Sequence, residues 1–392
     1  MTQHKLGQLL AFFSLLIVAA LCLGQFGVIY QLNQGSIYLF DLLIPIFNLF
    51  GLLYLIKTKQ TKIPLPLFSL LTAAALGGIS LCLTPLNLSV VEHLIAAGYW
   101  FRFVSYILFA LIIKGLINTK AISIDRLLKT LIYSGLVLFG AGVLQLLLFP
   151  DLGTLDLALG WDPHKNRMVS TFFDPNFLGA YFVITLSAAL KLKSQKKVIY
   201  IAFFLLGILL TFSRSAWLAA ALLIFFSGLK KKALLGLAVT IALLALFTVP
   251  RIQTRLSGVT DPQDSASFRL VSWQNTWVMI KENWVFGVGY NAFRYAQYNY
   301  GFLDDITLAS RSGAGSDASL LLVWATSGIF ALFFYLGAFL VLLFRAIKMH
   351  DMITAGLILA ILGNSLFINS LFYPQILLSL TTVWWPLRDS NL

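Results

Sequence analysis

Charge is scarce in this sequence. Aspartate, glutamate, lysine and arginine make up 11% of its 392 residues, whereas hydrophobic residues make up 59%. A soluble protein of this length cannot bury so much apolar surface in one core, so the lipid bilayer must act as the solvent for most of the chain. The composition excludes a soluble protein and predicts an integral membrane protein.

Residues that hold metals are also few. The two cysteines, Cys22 and Cys82, lie in separate apolar runs and have no metal-ligand spacing. No Asp-x-Asp motif or histidine–carboxylate cluster offers a cation site in the longer loops. We therefore expect no metal and no cofactor.

Apolar runs long enough to cross a bilayer recur along the chain. The first continues from Leu6 to about Tyr30 without a small-residue cleavage site, so we interpret it as a retained span and not as a signal peptide. We predict an all-α polytopic membrane protein of about twelve transmembrane helices, which form a single transmembrane domain over 1–392. The predicted spans are 7–30, 37–56, 65–84, 93–117, 127–149, 176–192, 197–212, 215–229, 233–249, 317–344, 352–370 and 372–387.

Lysine-rich loops predict the orientation of these spans. Every second loop carries lysines, and all of these loops fall on the same side as Lys5 and Arg388. The positive-inside rule makes that side, and with it both termini, cytoplasmic. The same rule accounts for most of the net charge of +13, and the charges lie in short separated loops, which argues against binding of nucleic acid.

The opposite, external side is unusual because its basic residues are mainly arginines. These are Arg167, Arg214, Arg251, Arg255, Arg269, Arg294 and Arg311. Arginine carries a permanent charge on a planar fork that binds phosphate bidentately. The cluster therefore indicates an anionic ligand, most simply a lipid-linked phosphate or diphosphate. Salt bridges to external acidic residues and contacts to lipid headgroups are the alternative.

Two external segments are long, 150–175 and 250–316, and the second lies between the ninth and tenth predicted spans. Within it, 268–281 has apolar residues at helical spacing and polar residues on another face, which predicts an amphipathic helix at the membrane surface. The apolar residues are Leu270, Trp273, Trp277 and Ile280, and the polar residues are Arg269, Ser272 and Thr276. We expect this loop to form an ordered cap over the spans.

Four motifs accompany these external segments. They are STFFDPNFLGA at 170–180, LTFSRSAW at 210–217, Arg269 and Trp273 followed by ENWVFGVGYNAF at 282–293, and SDASL at 316–320 followed by SGIF at 327–330. In this order they resemble the O-antigen ligase and O-antigen polymerase family of bacterial envelope glycosyltransferases. The resemblance covers residues from about 165 to 345.

The resemblance implies a GT-C-like membrane glycosyltransferase whose donor is a glycan linked to a polyprenyl diphosphate such as undecaprenyl diphosphate. It implies action at the external face of the bacterial inner membrane without a metal, on a glycan or lipid acceptor, and it leaves room for a chain-length regulator as a partner. The ligases carry a histidine before the tenth span, where this chain has Ser316-Asp317. This difference favours a polymerase over a ligase.

The essential arginines of the family correspond to Arg214 and Arg269 in this sequence. We expect these two arginines to hold the charge that develops on the diphosphate leaving group. Arg294 or Arg311 would support them. For Arg214 and Arg269, contacts to lipid headgroups are the simpler alternative.

Two aspartates precede predicted spans. We interpret Asp317 as the base that accepts the proton of the acceptor hydroxyl, and we expect the adjacent Ser316 to bind substrate. Asp174, followed by Asn176, would bind substrate at the start of the sixth span, where a helix N-terminus attracts anions. Both aspartates also fit a helix N-cap, and one residue can serve both purposes.

Arg102 lies some nine residues into the fourth predicted span, where its charge needs a partner or a water-filled cavity. We predict that it lines the site from below, with Asp41 as a candidate counter-ion; a purely structural pair is the alternative. His164 is most simply a loop residue.

A twelve-span transporter or a flippase for lipid-linked sugars is the competing function. Transporters commonly contain two similar halves, and the first half of this chain has no counterpart of the long external loop. Carboxylates suited to proton coupling are also scarce within the spans. These observations favour an enzyme.

Overall fold

The computed structural model describes residues 2–32, 35–153, 164–227, 265–309 and 312–384. The helices are α1 (Gln3–Ala20), α2 (Leu39–Lys57), α3 (Leu65–Cys82), α4 (Val90–Asn118), α5 (Ile124–Leu148), α6 (Pro175–Lys191), α7 (Lys197–Leu210), α8 (Arg214–Phe226), α9 (Ser265–Asn283), α10 (Phe293–Asn299), α11 (Asp305–Ala309), α12 (Ser319–Lys348), α13 (Met352–Ser365) and α14 (Pro374–Trp384). Short 3-10 segments occur at Leu21–Gly27, Ser170–Phe172, Ser312–Ala314 and Ser370–Phe372.

Six of the described helices, α1 to α5 and α12, are long and apolar enough to cross a membrane. Four more, α7, α8, α13 and α14, are apolar but shorter. The helices support a multi-pass membrane protein, as predicted. The count of twelve spans stays a prediction, and the ninth predicted span, 233–249, lies outside the described residues.

The segment between α1 and α2 departs from the prediction of helices alone. At Gly24 the backbone takes a φ of +53°, and a Cβ there would lie 2.3 Å from the carbonyl oxygen of Thr171, so only glycine fits this close approach. The chain then forms an antiparallel hairpin of β1 (Val28–Leu32) and β2 (Gly35–Tyr38). Apolar composition could not reveal it, because valine, isoleucine and tyrosine suit a strand as well as a membrane helix.

The lysine-rich loops and the loops predicted to be external lie at opposite ends of the helix bundle. α6 begins beside Asp174 and ends at Lys191, and α12 begins two residues after Asp317 and ends at Lys348. At the lysine-rich end, the Lys191 ammonium lies 2.7 Å from a carboxylate oxygen of Asp351. The loops are thus segregated as the charge pattern predicts, and the cytoplasmic position of the lysine-rich end stays a prediction.

α9 forms where the sequence predicts an amphipathic helix. Its polar face packs against the start of α12: the Thr276 hydroxyl donates to the Ser316 hydroxyl at 2.8 Å, and the Asp317 N–H donates to the Ser272 hydroxyl at 3.1 Å. Trp277, one of the predicted apolar residues, is 44% exposed, so the apolar side is not fully covered by protein.

α12 is interrupted at Gly328, where the backbone takes φ +80° and ψ 174°. The segment 284–289 lies in this break and replaces the lost helical hydrogen bonds. It does so through Val288 N–H to Ala325 O at 2.8 Å, Gly289 N–H to Thr326 O at 3.2 Å and Ile329 N–H to Trp284 O at 3.0 Å. The ENWVFGVGYNAF and SGIF motifs therefore dock onto each other, which explains why both are rich in glycine.

Candidate active site

A cavity of about 520 Å³ lies at the end of the bundle opposite the lysine-rich loops. Its walls come from segments far apart in the sequence: 25–38, 99–106, 164–177, 269–326 and 368–377. The volume falls within the range of small-molecule sites, roughly 300–1,000 Å³. The described part of the long external loop forms one side of this cavity.

Six of the nine residues predicted for the site line the cavity. They are Arg102, Asp174, Asn176, Arg269, Arg294 and Asp317. Arg214 and Ser316 are not among the lining residues, and Arg311 lies outside the described residues.

Asp174 is a helix cap whose carboxyl is also influenced by two arginines. Its Oδ1 accepts hydrogen bonds from the N–H groups of Asn176 at 2.6 Å and Phe177 at 3.2 Å, so it is the N-cap of α6. Burial raises the pKa of its carboxyl, and these two hydrogen bonds and the charges of Arg167 and Arg269 offset part of that rise. Asp174 therefore caps a helix and also lines the cavity, within the electrostatic influence of Arg167 and Arg269.

Arg167 joins two of the motifs, although the sequence had given it no role beyond membership of the external arginines. Its Nε donates to the Thr211 carbonyl oxygen at 3.0 Å, and its Nη2 donates to Asn176 Oδ1 at 3.3 Å. The Ser213 hydroxyl donates to the same Asn176 oxygen at 2.8 Å. Arg167 is 8% exposed, so its charge is held largely away from solvent next to the cavity. No motif marked this residue, and its position among the external arginines was the only available signal.

Arg214 is the first residue of α8 and is partly buried. Its neighbour Ser213 caps α8 by accepting from the Ala216 N–H at 3.4 Å, and it contacts the cavity residue Asn176. The hairpin motif therefore reaches the cavity wall through Ser213 and Asn176. A direct contact of Arg214 with substrate stays a prediction.

Asp317 does not cap α12. The cap position is Ala318, which makes no side-chain hydrogen bond, so the Ser-Asp cap considered from the sequence is wrong. The backbone of Asp317 is instead held by α9, because its N–H donates to the Ser272 hydroxyl and its carbonyl oxygen accepts from Trp273 Nε1 at 3.4 Å. Ser316 is 1% exposed and holds α9 against the start of α12.

Arg294 brings a second cation from the long loop to the cavity. It is 7% exposed, and its Nη1 donates to the Leu308 carbonyl oxygen at 2.8 Å, which fixes the guanidinium against α11. Burial lowers the pKa of this guanidinium, but arginine stays charged at neutral pH. Arg269 and Arg294 thus give this part of the cavity two permanent positive charges.

One wall of the cavity and the hairpin of Arg214 lie within a recognisable region of the chain. Residues 199–336 match a family model described as O-antigen ligase. This region is therefore similar to the O-antigen ligase family. No curated protein matches the chain. The matched region contains Arg214, Arg269, Arg294 and Asp317, and the resemblance seen in the motifs is confirmed for this part of the sequence.

The rest of the cavity lies outside the matched O-antigen ligase region. Arg102 forms a bidentate pair with Asp41 there, as predicted, with Nε–Oδ1 at 2.8 Å and Nη2–Oδ2 at 2.6 Å. The Tyr106 hydroxyl donates to Asp41 at 3.0 Å, and the Tyr99 ring centroid lies 4.4 Å from the guanidinium carbon. Because Asp41 balances the charge of Arg102, this wall is polar without being strongly positive.

Metal ligands do not cluster in the described part of the chain. No three His, Cys, Asp or Glu side chains among these residues lie close enough together to hold a metal ion. The positive charges that line the cavity belong to the side chains of Arg102, Arg269 and Arg294.

Proposed function

We propose that the protein is a membrane glycosyltransferase that transfers or polymerises a polyprenyl-diphosphate-linked glycan at the external face of the bacterial inner membrane. The observation that carries the proposal is the cavity, in which Arg269 and Arg294 of the O-antigen ligase region meet the carboxylates Asp174 and Asp317. A site for an acid–base reaction on an anionic substrate needs both kinds of group.

In this reaction a hydroxyl of the acceptor attacks the anomeric carbon of the donor sugar. Asp317 takes the hydroxyl proton as the new glycosidic bond forms, and the bond between the sugar and the diphosphate breaks. The diphosphate leaves with the bonding electrons, and Arg269, supported by Arg294, stabilises its charge through charge-assisted hydrogen bonds. Arg167 holds the adjoining hairpin through the Thr211 carbonyl, Arg214 of that hairpin joins Arg269 in binding the diphosphate, and guanidinium groups take the role that a divalent cation would otherwise have.

A polymerase is favoured over a ligase because Ser316-Asp317 occupies the position before α12 where the ligases carry a histidine. A ligase is the second candidate. One observation favours it: His164 lines the cavity, so a different segment brings an imidazole to the site.

The test uses the purified protein in nanodiscs with its own lipid-diphosphate oligosaccharide and a metal chelator. A polymerase gives a ladder of repeats on a gel, lost in Arg269→Ala and kept in Arg126→Ala, a matched change at an exposed arginine of the lysine-rich end. A single shift that needs a second lipid acceptor identifies a ligase. Absence of transfer with every acceptor, together with passage of the lipid across a proteoliposome membrane, would replace the enzyme with a transporter.

A further inference from the structure

The cavity has two chemically different parts. One contains Asp174 with the charges of Arg167 and Arg269 around it. The other contains the Arg102–Asp41 pair, in which the charges balance. A diphosphate requires a surplus of positive charge, which Arg269 and Arg294 supply from the long loop, and Arg294 also lies beside Tyr99.

The charge-balanced part is built by the β1–β2 hairpin and α4. The Ser36 N–H donates to the Tyr99 hydroxyl at 3.3 Å, and the Ser36 hydroxyl donates to the Gln31 side-chain oxygen at 2.9 Å. Gln25 accepts from the Tyr38 hydroxyl at 3.1 Å. All five residues line the cavity, so amides and hydroxyls are held in place by one another along its wall.

Aromatic rings accompany these polar groups. Tyr99 lies against Gly35, where an added Cβ would approach its ring to 3.2 Å, and the Arg102 guanidinium lies over its ring. Tyr373, whose hydroxyl accepts from the Gln25 amide at 3.1 Å, stacks on Phe177 at 4.1 Å between centroids. Rings braced in this way are rigid surfaces with a polar group at the edge.

Amides, hydroxyls and rigid rings without net charge suit an uncharged polyhydroxylated ligand. Amides and phenols exchange hydrogen bonds with sugar hydroxyls, and the C–H face of a sugar ring packs on an aromatic face. A lipid tail would instead require an apolar wall, and a phosphate would require unbalanced cations. We propose that the β1–β2 hairpin and Tyr99 form a subsite for sugar rings of the glycan, separate from the diphosphate site at Arg269 and Arg294.

This inference rests on the proposed function for the identity of the ligand. It also assigns a role to a part of the chain that lies outside the O-antigen ligase region, since the hairpin and Tyr99 precede residue 199. Selection among glycans would then be determined by the N-terminal third of the protein, and the reaction by the matched region.

The test measures two binding constants on the full-length protein in nanodiscs. The probes are the reducing oligosaccharide released by mild acid from the lipid-linked donor, and inorganic pyrophosphate. Tyr99→Leu should weaken binding of the oligosaccharide about tenfold and leave binding of pyrophosphate nearly unchanged. Arg269→Ala should weaken binding of pyrophosphate and leave binding of the oligosaccharide nearly unchanged. Tyr30→Leu, at an exposed position of the same hairpin that does not line the cavity, should change neither constant.

Retention of pyrophosphate binding shows that Tyr99→Leu is folded. If that variant does not fold, Tyr99→Phe replaces it and should weaken binding of the oligosaccharide about threefold, because one hydroxyl is lost. Unchanged oligosaccharide affinity in the folded variant, or an equal loss of both ligands, overturns the inference. The proposed function fails separately. If the protein has no transfer activity but binds the oligosaccharide in a way that depends on Tyr99, the glycosyltransferase proposal is wrong and the sugar subsite stands.

Discussion

Replacing Gly328 by alanine tests whether the break in α12 positions the long loop. An added Cβ would lie 1.9 Å from the carbonyl oxygen of Val285 and 2.5 Å from its carbonyl carbon. Both are backbone atoms, so the loop must move. A non-glycine residue at φ +80° costs about 1–3 kcal/mol. Loss of the three loop–helix hydrogen bonds adds about 1 kcal/mol each, for a total of about 4–6 kcal/mol.

The matched control is Gly337→Ala in the same helix. A Cβ there would meet only the Ser69 hydroxyl, at 3.6 Å, and alanine is favoured over glycine in a helix by about 1 kcal/mol. The free energy of unfolding, measured by SDS titration in mixed micelles, should therefore fall in Gly328→Ala and stay level or rise in Gly337→Ala. Gly328→Ala should also reduce transfer, because the displaced segment leads directly to Arg294. Wild-type stability in Gly328→Ala would refute this reasoning.

Three further changes separate structural from chemical roles. Arg102→Met leaves the buried Asp41 carboxylate without its cation and should lower the free energy of unfolding by about 3–5 kcal/mol. The double variant Arg102→Met/Asp41→Leu should recover most of this lost stability. A double variant as unstable as the single one would contradict the pairing. Asp174→Asn keeps the N-cap but removes an ionisable group. Because burial raises the pKa of the Asp174 carboxyl in the folded state, the wild-type protein loses stability as the pH rises through that pKa. The variant has no carboxyl at this position and does not show this loss. The melting temperature of Asp174→Asn relative to wild type should thus increase from about pH 4 to about pH 8, and a constant difference would argue against a buried charge. Asp317→Asn should lower kcat by about 10²–10⁴-fold with little change in melting temperature, since this residue is not the cap of α12; a loss of stability with normal turnover would make Asp317 structural.

Features carried by whole segments could be predicted from the sequence. Hydrophobic runs marked the helices, the lysine pattern separated the two ends, and the period of 268–281 gave α9. Features that depend on a single contact could not be predicted from the sequence. The turn at Gly24 depends on the carbonyl of Thr171, and the break at Gly328 depends on Val285, and neither contact is encoded near the glycine.

The same distinction holds for the candidate site. A buried arginine demands a partner, so the pairing of Arg102 with Asp41 followed from elementary electrostatics. Motifs led to Arg269 and Asp317, which line the cavity. Tyr99 belongs to no motif and sits in an ordinary apolar helix, so only the folded structure brings it to the cavity.

The interruption of α12 also bears on how the protein assembles. Its sequence is apolar enough to enter a bilayer alone, but a helix broken within the membrane exposes backbone groups that lipid cannot satisfy. Segment 284–289, which is synthesised first, supplies those partners. α12 therefore reaches its final form only when segment 284–289 docks into the break, which couples the packing of this helix to closure of the cavity.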